Sequence, residues 1–342
     1  MYGGNEVKKM KISTDKALAY KDICLVPNYT ECFSRSDCKT SVNLFGKQYK
    51  LPIIPANMKS VIDMRLAKWM SENDYFYIMH RFDRKLSDDV ILANSEDWKT
   101  ISLSTGIKMS DKMEVLKISK NSNLRLDFLT IDIAHAHCQR MKCMIKYIKE
   151  HLPNTKIIAG NVSTPTAVRD LYRWGADIVK IGIGQGSPCT TKYKTGFTMP
   201  MFTATKICSN LYAEDFNNTE SPPIPIIADG GIEHNGDIAK ALVAGATMVM
   251  AGGIFAACTD SPAISSIVNN VPHKAYFGSA SAENKGHKNH IEGKLTNICS
   301  NSMSYEEKLT EITQDIQSAI SYAGGNADST LDIFKDVSYM EV

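Results

Sequence analysis

Eight short apolar runs constrain the fold of this chain more than any other feature of its sequence. Each run is rich in β-branched residues and is followed by a polar turn and a helix-like segment. Eight strand–helix units favour a closed (β/α)8 TIM barrel of the α/β class over an open doubly wound sheet with extra strands, which stays the alternative. The eight runs are residues 51–56, 75–80, 100–105, 128–134, 156–162, 177–184, 224–231 and 247–255.

A single catalytic barrel over residues 1–342 is the predicted domain organisation. An N-terminal arm (residues 1–50) precedes the first run, and a helical tail with capping-box spacing (about residues 303–342) follows the last. The polar, lysine-rich segment of about residues 279–294 predicts a mobile flap or a solvated loop. Residues 185–223 exceed what a βα connection needs, and long loops on this face of a barrel tend to carry function.

Composition argues against several classes of protein. Lys plus Arg number 39 against 37 Asp plus Glu, without a long basic run, which argues against nucleic-acid binding. No stretch approaches roughly 18 unbroken apolar residues, and the N-terminus lacks the apolar segment of a signal peptide, so no membrane association is expected. Nine cysteines, an odd and scattered set, are typical of reduced thiols in a cytoplasmic protein.

Cys189 is the predicted nucleophile. The sixth run leads directly into GIGQGSPCTT, where Gly182, Gly184 and Gly186 permit tight turns and the close approach of a ligand. In a barrel, residues at the carboxyl ends of the strands face the active site. Exposed amides or a cationic neighbour would favour the reactive thiolate there. Most of the other cysteines are interpreted as packing residues.

Two glycine pairs predict a phosphate site. Gly230 and Gly231 end the seventh run, and Gly252 and Gly253 lie in the eighth. Barrels often bind phosphate through backbone amides of those two loops, so a phosphorylated ligand is expected. Asp229 would repel phosphate and is predicted to accept hydrogen bonds from a ribose diol. The alternative is that the glycines serve only tight strand–helix turns.

His135 and His137 form a rival site. They stand two residues apart after the fourth run, on one side of an extended chain, as metal ligands would. A catalytic metal needs further ligands at other strand ends, for which His80 and Asp229 are the candidates. A barrel metallohydrolase is therefore a competing hypothesis.

A set of ordered motifs resembles a known superfamily. GIGQGSPCTT, IIADGGI, MVMAGGIFA, YFGSAS and IEGK occur in the order found in inosine monophosphate (IMP) dehydrogenases and guanosine monophosphate (GMP) reductases. The resemblance begins at residues 20–28, continues through residues 54–63 and reaches the tail. It implies the same barrel that the eight runs predict.

Two absences favour the reductase branch of that superfamily. Its dehydrogenases usually carry a CBS regulatory insert of about a hundred residues after the second barrel strand. Here only about fifty residues separate His80 from Asp132, so that insert is absent. The dehydrogenases also carry an Arg-Tyr pair in a long flap, and no such pair lies between Ser281 and Glu292.

The resemblance implies reductive deamination of GMP to IMP and ammonia, a step of purine salvage. Cys189 resembles the thiolate that attacks C2 of the purine to form a covalent thioimidate, and Thr191 with Glu292 resembles the pair that protonates the departing amine. The alternatives are an IMP dehydrogenase without the regulatory domain and a non-catalytic purine-nucleotide-binding barrel. Residues implied in nucleotide binding are Ser187, Asp229, Gly230, Gly231, Gly252, Gly253, Tyr276, Gly278, Ser279, Ala280 and Gly293.

NADPH and a potassium ion are the implied cofactors. Backbone carbonyls of Gly184, Gly186 and Cys189 resemble the potassium cage. Members of the superfamily are usually homotetramers, in which positions of the arm and tail reach a neighbouring subunit's cofactor. Arg81 or Arg35 would explain a preference for NADPH, since guanidinium pairs well with a 2′-phosphate. The implied cofactor contacts are Ser34, Arg35, Arg81, Asp132, Ile133, Ala134, Ile183, Gly184, Ser318, Ala319, Ile320 and Ser321.

Several residues depart from the superfamily pattern. Gln185 stands where proline is common, and Pro188 stands where a small aliphatic residue is common. These two changes predict that the stiffness of the cysteine loop is redistributed. Ser279 replaces a methionine, and Asn289 or Lys288 replaces an arginine before the flap glutamate, which predicts altered contacts to the base.

Overall fold

Seven of the eight apolar runs form one parallel sheet in the computed structural model, which describes residues 16–210, 224–286 and 289–342. The strands of the described residues are β1 (Ile23–Leu25), β2 (Val42–Leu44), β3 (Lys47–Tyr49), β4 (Ile53–Pro55), β5 (Ser102–Thr105), β6 (Phe128–Asp132), β7 (Lys156–Val162), β8 (Ile178–Ile181), β9 (Ile226–Asp229), β10 (Met248–Ala251), β11 (Ser265–Val268), β12 (Val271–Phe277), β13 (Leu295–Cys299) and β14 (Tyr339–Glu341).

Helices alternate with the strands of this sheet. The α-helices are α1 (Met64–Glu72), α2 (Leu86–Ser95), α3 (Met109–Ser119), α4 (Gln139–His151), α5 (Pro165–Trp174), α6 (Thr191–Thr195), α7 (Met201–Ser209), α8 (Gly236–Val243), α9 (Gly253–Ala256), α10 (Ala282–Lys285) and α11 (Tyr305–Tyr322). Short 3-10 helices cover Tyr20–Asp22, Arg35–Asp37 and Leu331–Asp336.

The parallel sheet has the strand order β4-β10-β9-β8-β7-β6-β5. All residues of β5, β8 and β10 are buried, as expected for parallel strands covered on both faces. The second run, residues 75–80, lies at the free edge of β5, where Met79 forms a single parallel bridge with Leu103 and donates its N–H to the Ser102 carbonyl at 3.0 Å. With this run the eight predicted units are accounted for, and the prediction of a (β/α)8 TIM barrel is confirmed.

The second run shows why an apolar pattern can overstate the length of a strand. Phe76, Tyr77, Ile78 and Met79 are at most 1% exposed, so burial alone explains their apolar character. Tyr77 is fixed through its side chain, which donates to the Thr100 carbonyl at 2.7 Å. Burial therefore continues along the run while ladder pairing is limited to one bridge.

The tail and the arm are tied to each other beside the barrel. Ser304 caps α11 in the predicted capping box with Glu307, and β14 pairs antiparallel with β1. Gly324 follows the helix at φ +97°, a conformation that favours glycine, and a Cβ there would lie 2.9 Å from the Tyr29 carbonyl oxygen. The first fifteen residues of the predicted arm lie outside the described residues.

The two predicted loops contain short elements. The described part of residues 185–223 holds α6 and α7, whereas residues 211–223 lie outside the described ranges. The predicted flap contains α10 and a buried Ser281, and its His287 and Lys288 also lie outside them. Between Met79 and β6 the chain holds α2, β5 and α3. Across the described ranges, the helices are too short or too polar to cross a lipid bilayer.

Candidate functional site

A cavity of about 550 Å³ opens at the carboxyl ends of the barrel strands. Its walls come from the ends of β6, β8, β9 and β10, from the loop after β8, and from the flap. In barrels this end carries the active site, because the βα loops that meet there are free to vary without disturbing the core. The cavity is therefore the candidate site.

The loop after β8 brings Cys189 to this cavity. Gly182 and Gly184 have φ of +134° and +76°, and a Cβ on Gly182 would lie 2.0 Å from the Asp229 carbonyl oxygen. Glycine is thus required at position 182 both by the backbone conformation and by the neighbouring strand. The loop then closes on itself, since the Cys189 N–H donates to the Gly186 carbonyl at 2.9 Å.

A thiol, a hydroxyl and a carboxylate form one hydrogen-bonded chain at the cavity. The Cys189 thiol donates to Thr191 Oγ1 at 3.2 Å, and Thr191 Oγ1 donates to Glu292 Oε2 at 2.6 Å. Cys189 is half-buried, so its sulfur is packed yet reachable. A nucleophile, a hydroxyl able to pass a proton and a carboxylate therefore stand in series.

Backbone pairing holds the flap against the cysteine loop. Cys189 and Gly293 form an antiparallel bridge, and the Thr190 N–H donates to the Glu292 carbonyl at 2.8 Å. Lys294 N–H donates to the Pro188 carbonyl, also at 2.8 Å. Glu292 consequently reaches Thr191 as part of a paired strand segment rather than from a free loop.

Lys180 of β8 lies between two carboxylates beneath the cavity. Its Nζ is 3.0 Å from Asp132 Oδ1 and 2.7 Å from Asp229 Oδ2, and its side chain is 3% exposed. Burial alone would lower the pKa of Lys180, but the two carboxylates outweigh it and hold the pKa above its ordinary value. Burial alone would raise the pKa of Asp132, whereas Lys180 and Arg81 bring it below its ordinary value.

Asn161 adds a second contact to Asp229. The register of β7 against β8 shifts between Gly160 and Val162, which leaves Asn161 at an irregularity of the ladder. Its Nδ2 donates to the Gly182 carbonyl at 2.7 Å and to Asp229 Oδ2 at 2.9 Å. Asp229 is therefore held by an ammonium group and an amide on the same oxygen atom.

The glycine pairs line the same cavity. Gly230 and Gly231 have φ of +110° and +76°, and a Cβ on Gly252 would lie 2.0 Å from the Tyr276 hydroxyl oxygen. Tyr276 is 4% exposed, and burial, with smaller effects of Asp229 and Cys189, raises its pKa. Its neutral hydroxyl lies beside the glycine backbone. The hydroxyl and the backbone N–H groups can both donate hydrogen bonds to an anionic oxygen.

Most of the predicted site residues meet at this cavity. Those that line it are Arg81, Asp132, Ile133, Ala134, Ile183, Gly184, Gly186, Ser187, Cys189, Thr191, Asp229, Gly230, Gly231, Gly252, Gly253, Tyr276, Gly278, Ser279, Ala280, Glu292 and Gly293.

The remaining predicted residues form a separate surface group on the arm and α11. Arg35 donates to Ser318 Oγ at 3.4 Å and to Tyr322 Oη at 3.3 Å. Ser34 and Arg35 are exposed, whereas the side chains of Ile320 and Ser321 are buried. Ser34 and Arg35 are thus the outward part of this group, and Ser318 is half-buried beside them.

The histidines of the rival hypothesis do not assemble a metal site. His137 Nε2 lies 2.8 Å from Asp170 Oδ2, and His135 is exposed. Burial, reinforced by Arg84 and Lys59, lowers the pKa of His80 to about 4. Within the described ranges, no three His, Cys, Asp or Glu side chains group as ligands of one ion.

Two polar residues of the site, Lys180 and Asn161, are absent from the sequence prediction. Lys180 is one of four buried residues in β8, and the other three are apolar. A lone lysine inside a buried strand signals a paired charge, because an unpaired buried ammonium is costly. That signal was available in the sequence, but the bulge that directs Asn161 toward Asp229 was not.

Gln185 makes a side-chain contact that the proline common in the superfamily would lack. Its Nε2 donates to Thr198 Oγ1 at 2.6 Å, and Thr198 Oγ1 donates to the Ile183 carbonyl at 2.8 Å. We call this pair of bonds the Gln185–Thr198 latch. It joins the cysteine loop to the segment before α7.

Comparisons with known proteins agree with these motifs. A family model described as "IMP dehydrogenase / GMP reductase domain" matches residues 17–338. The GMP reductase of Staphylococcus epidermidis is 44% identical over 312 residues, which cover 91% of this chain and 92% of that protein. That of Leptothrix cholodnii is 43% identical over 317 residues, covering 91% and 93%. That of Bacillus licheniformis is 43% identical over 325 residues, covering 94% and 95%.

Lys180→Met is expected to destabilise the fold. The substitution leaves two buried carboxylates without their shared cation, which costs about 3–5 kcal/mol in the free energy of unfolding at neutral pH. Because the pKa of Asp132 is depressed in the folded state, the stabilisation is present above about pH 4 and is lost on further acidification. Urea unfolding measures the difference, with the exposed Lys146→Met of α4 as control. Equal losses for both variants would contradict the assigned role.

Gln185→Ala is expected to loosen the cysteine loop. Loss of one hydrogen bond of about 1 kcal/mol should raise amide hydrogen exchange of residues 183–190 roughly fivefold. Mass spectrometry of peptides from this region measures it, with the exposed Gln314→Ala of α11 as control. Gln185→Pro should restore slow exchange through a stiffer backbone. Unchanged exchange in Gln185→Ala would show that the latch does not stabilise the loop.

Proposed function

Because the chain belongs to the IMP dehydrogenase/GMP reductase family, we propose that it reduces GMP to IMP and ammonia with NADPH. Membership of this family implies a nicotinamide cofactor, and NADPH is the specific donor that we propose. The hydrogen-bonded chain of Cys189, Thr191 and Glu292 is the observation that carries the proposal. It supplies the nucleophile and the acid that removal of an aromatic amine requires.

Substrate binding follows from the charges around the cavity. The 5′-phosphate would be held by backbone amides of the two glycine pairs, by Ser187 and by the Tyr276 hydroxyl. Asp229 would accept hydrogen bonds from the ribose hydroxyls, because Lys180 and Asn161 fix the orientation of its carboxylate. The base would lie against the remaining implied residues, Gly278, Ser279, Ala280 and Gly293.

The proposed chemistry begins at the Cys189 sulfur. The Cys189 thiol passes its proton through Thr191 to the Glu292 carboxylate, and the resulting thiolate adds to C2 of the purine. The same proton then returns through Thr191 to the exocyclic amine, which leaves as ammonia. The product of this step is a thioimidate that joins Cys189 to C2. The nicotinamide, when bound, supplies the hydride for C2. The sulfur then leaves C2 with its bonding electrons, which regenerates Cys189 and releases IMP.

Arg81 supports the fit of a phosphorylated dinucleotide. Its Nε is buried and has no hydrogen-bond partner among the described residues, although Arg81 lines the cavity. A buried guanidinium N–H without an acceptor is costly, and a phosphate oxygen would supply that acceptor. We propose that Arg81 binds the cofactor, next to Asp132, Ile133, Ala134, Ile183 and Gly184.

A potassium ion and a tetramer belong to the same proposal. Backbone carbonyls of Gly184, Gly186 and Cys189 would coordinate potassium, since carbonyl oxygens replace its hydration shell well. Gly186 already accepts one hydrogen bond, but a carbonyl oxygen carries a second lone pair. We propose a cytoplasmic homotetramer in which the exposed Arg35 and the half-buried Ser318 approach a neighbouring subunit's cofactor.

GMP is expected to trigger oxidation of NADPH by the wild-type protein. Cys189→Ala should lower kcat by about 10³-fold or more, because the covalent route is lost. Cys143→Ala on the surface of α4 should keep wild-type activity and serves as the matched control. The loss of NADPH absorbance is followed with and without potassium. Reduction of NAD with IMP would instead indicate the dehydrogenase, and binding of GMP without turnover would indicate the non-catalytic barrel.

Glu292→Gln is expected to slow the release of ammonia. The amide cannot replenish the proton that Thr191 passes on, so kcat should fall roughly 10²–10⁴-fold while KM for GMP changes little. Steady-state kinetics measure both constants. Glu283→Gln is the matched control, because Glu283 is exposed in α10 of the same flap. A normal kcat in Glu292→Gln would exclude the carboxylate from proton transfer.

A further inference from the structure

Cys32 and Cys38, outside the cavity, place their sulfur atoms 3.6 Å apart. Cys38 is 3% exposed, and Cys32 is half-buried. Theirs is the one sulfur–sulfur contact that we find in the described chain. The S–S bond of a disulfide is about 2.05 Å long, so the two sulfurs must approach each other further before the bond can form.

Both ends of this cysteine pair are anchored to the tail. Cys32 N–H donates to Thr30 Oγ1 at 3.1 Å, and Thr30 Oγ1 donates to the Gly325 carbonyl at 2.7 Å. Gln317 Nε2 of α11 donates to the Cys38 carbonyl at 3.3 Å. The backbone is therefore held on each side, and the two thiols lie in contact without a covalent bond between them.

We propose that Cys32 and Cys38 are a modification site, at which hydrogen peroxide forms a reversible intramolecular disulfide. The Cys32 thiolate attacks one peroxide oxygen, which breaks the O–O bond, gives a sulfenic acid at Cys32 and releases hydroxide. The Cys38 sulfur then displaces the hydroxyl group from Cys32, and its proton leaves with that group as water. Two thiols are thus oxidised by two electrons while one peroxide is reduced to two waters.

Exposure assigns the first step to Cys32. The half-buried Cys32 thiol is reachable from solvent, whereas Cys38 is packed against the tail. Burial and the neighbouring Cys32 thiol raise the pKa of Cys38 to about 11, which disfavours its thiolate. Cys38 therefore acts as the resolving thiol, for which proximity matters more than initial ionisation.

The disulfide closes residues 32–38 into a covalent ring, and Arg35 is part of that ring. This residue begins the short helix Arg35–Asp37 between the two cysteines and lies over the Tyr322 ring, 5.1 Å from its centroid. Its guanidinium also donates to Ser318. Covalent closure at both ends limits the conformations of the segment, so oxidation holds Arg35 against α11.

Peptide mapping tests the bond independently of any enzymatic activity. After denaturation, trypsin cleaves after Lys21, Arg35 and Lys39, so the two cysteines fall into peptides that only a disulfide keeps together. Peroxide-treated wild type should give the joined pair, and a thiol reductant should separate it. The pair should persist in Cys143→Ser, which lacks an exposed cysteine of α4.

Two variants decide the outcome even if one of them folds poorly. Cys32→Ser changes the accessible thiol and Cys38→Ala the buried one, and neither should give the joined pair. In native protein, cleavage after Arg35 should slow roughly tenfold on oxidation of wild type but not of Cys32→Ser. Peroxide doses that oxidise Cys143 while leaving Cys32 and Cys38 fully alkylatable would overturn the proposal. An unchanged cleavage rate in the disulfide form would overturn the immobilisation of Arg35.

Discussion

The buried ion pair network of Lys180 is the interaction on which the fold and the site both depend. Its ammonium group joins Asp132 at the end of β6, two strands away from β8, to Asp229 at the end of the neighbouring β9. The close approach demands glycine on β7, because a Cβ on Gly160 would lie 2.5 Å from Lys180 Cβ. One lysine thus sets the packing inside the barrel and the position of two carboxylates at its mouth.

The sequence predicts the repeated strand–helix units and those features that depend on neighbouring residues. Eight apolar runs gave the barrel because burial of a parallel strand leaves a direct trace in residue type. The same trace does not report how far a strand ladder extends, because in residues 75–80 buried side chains continue while the ladder is limited to the bridge at Met79. The ends of α11 at Ser304 and Gly324 could also be predicted from the sequence, because a helix cap depends on residues only a few positions away.

The site was predictable only where a strand end identifies a function. Cys189 and the glycine pairs follow strands, so topology alone brings them to one face of the barrel. The contacts of Lys180 span 48 and 49 residues, and the contact of Asn161 with Asp229 spans 68. Such pairings depend on register and on a local bulge, neither of which a single sequence specifies. The role of Gln185 likewise required the position of Thr198.

Flap closure and acid catalysis are one structural event in the proposed reaction. Glu292 reaches Thr191 because its own backbone pairs with the cysteine loop, through Thr190 and through the bridge of Cys189 with Gly293. If the flap leaves, the carboxylate and the backbone contacts leave together. In the proposed reaction the proton donor would therefore be assembled only while the flap is paired with the cysteine loop, so a site without that pairing would lack its acid.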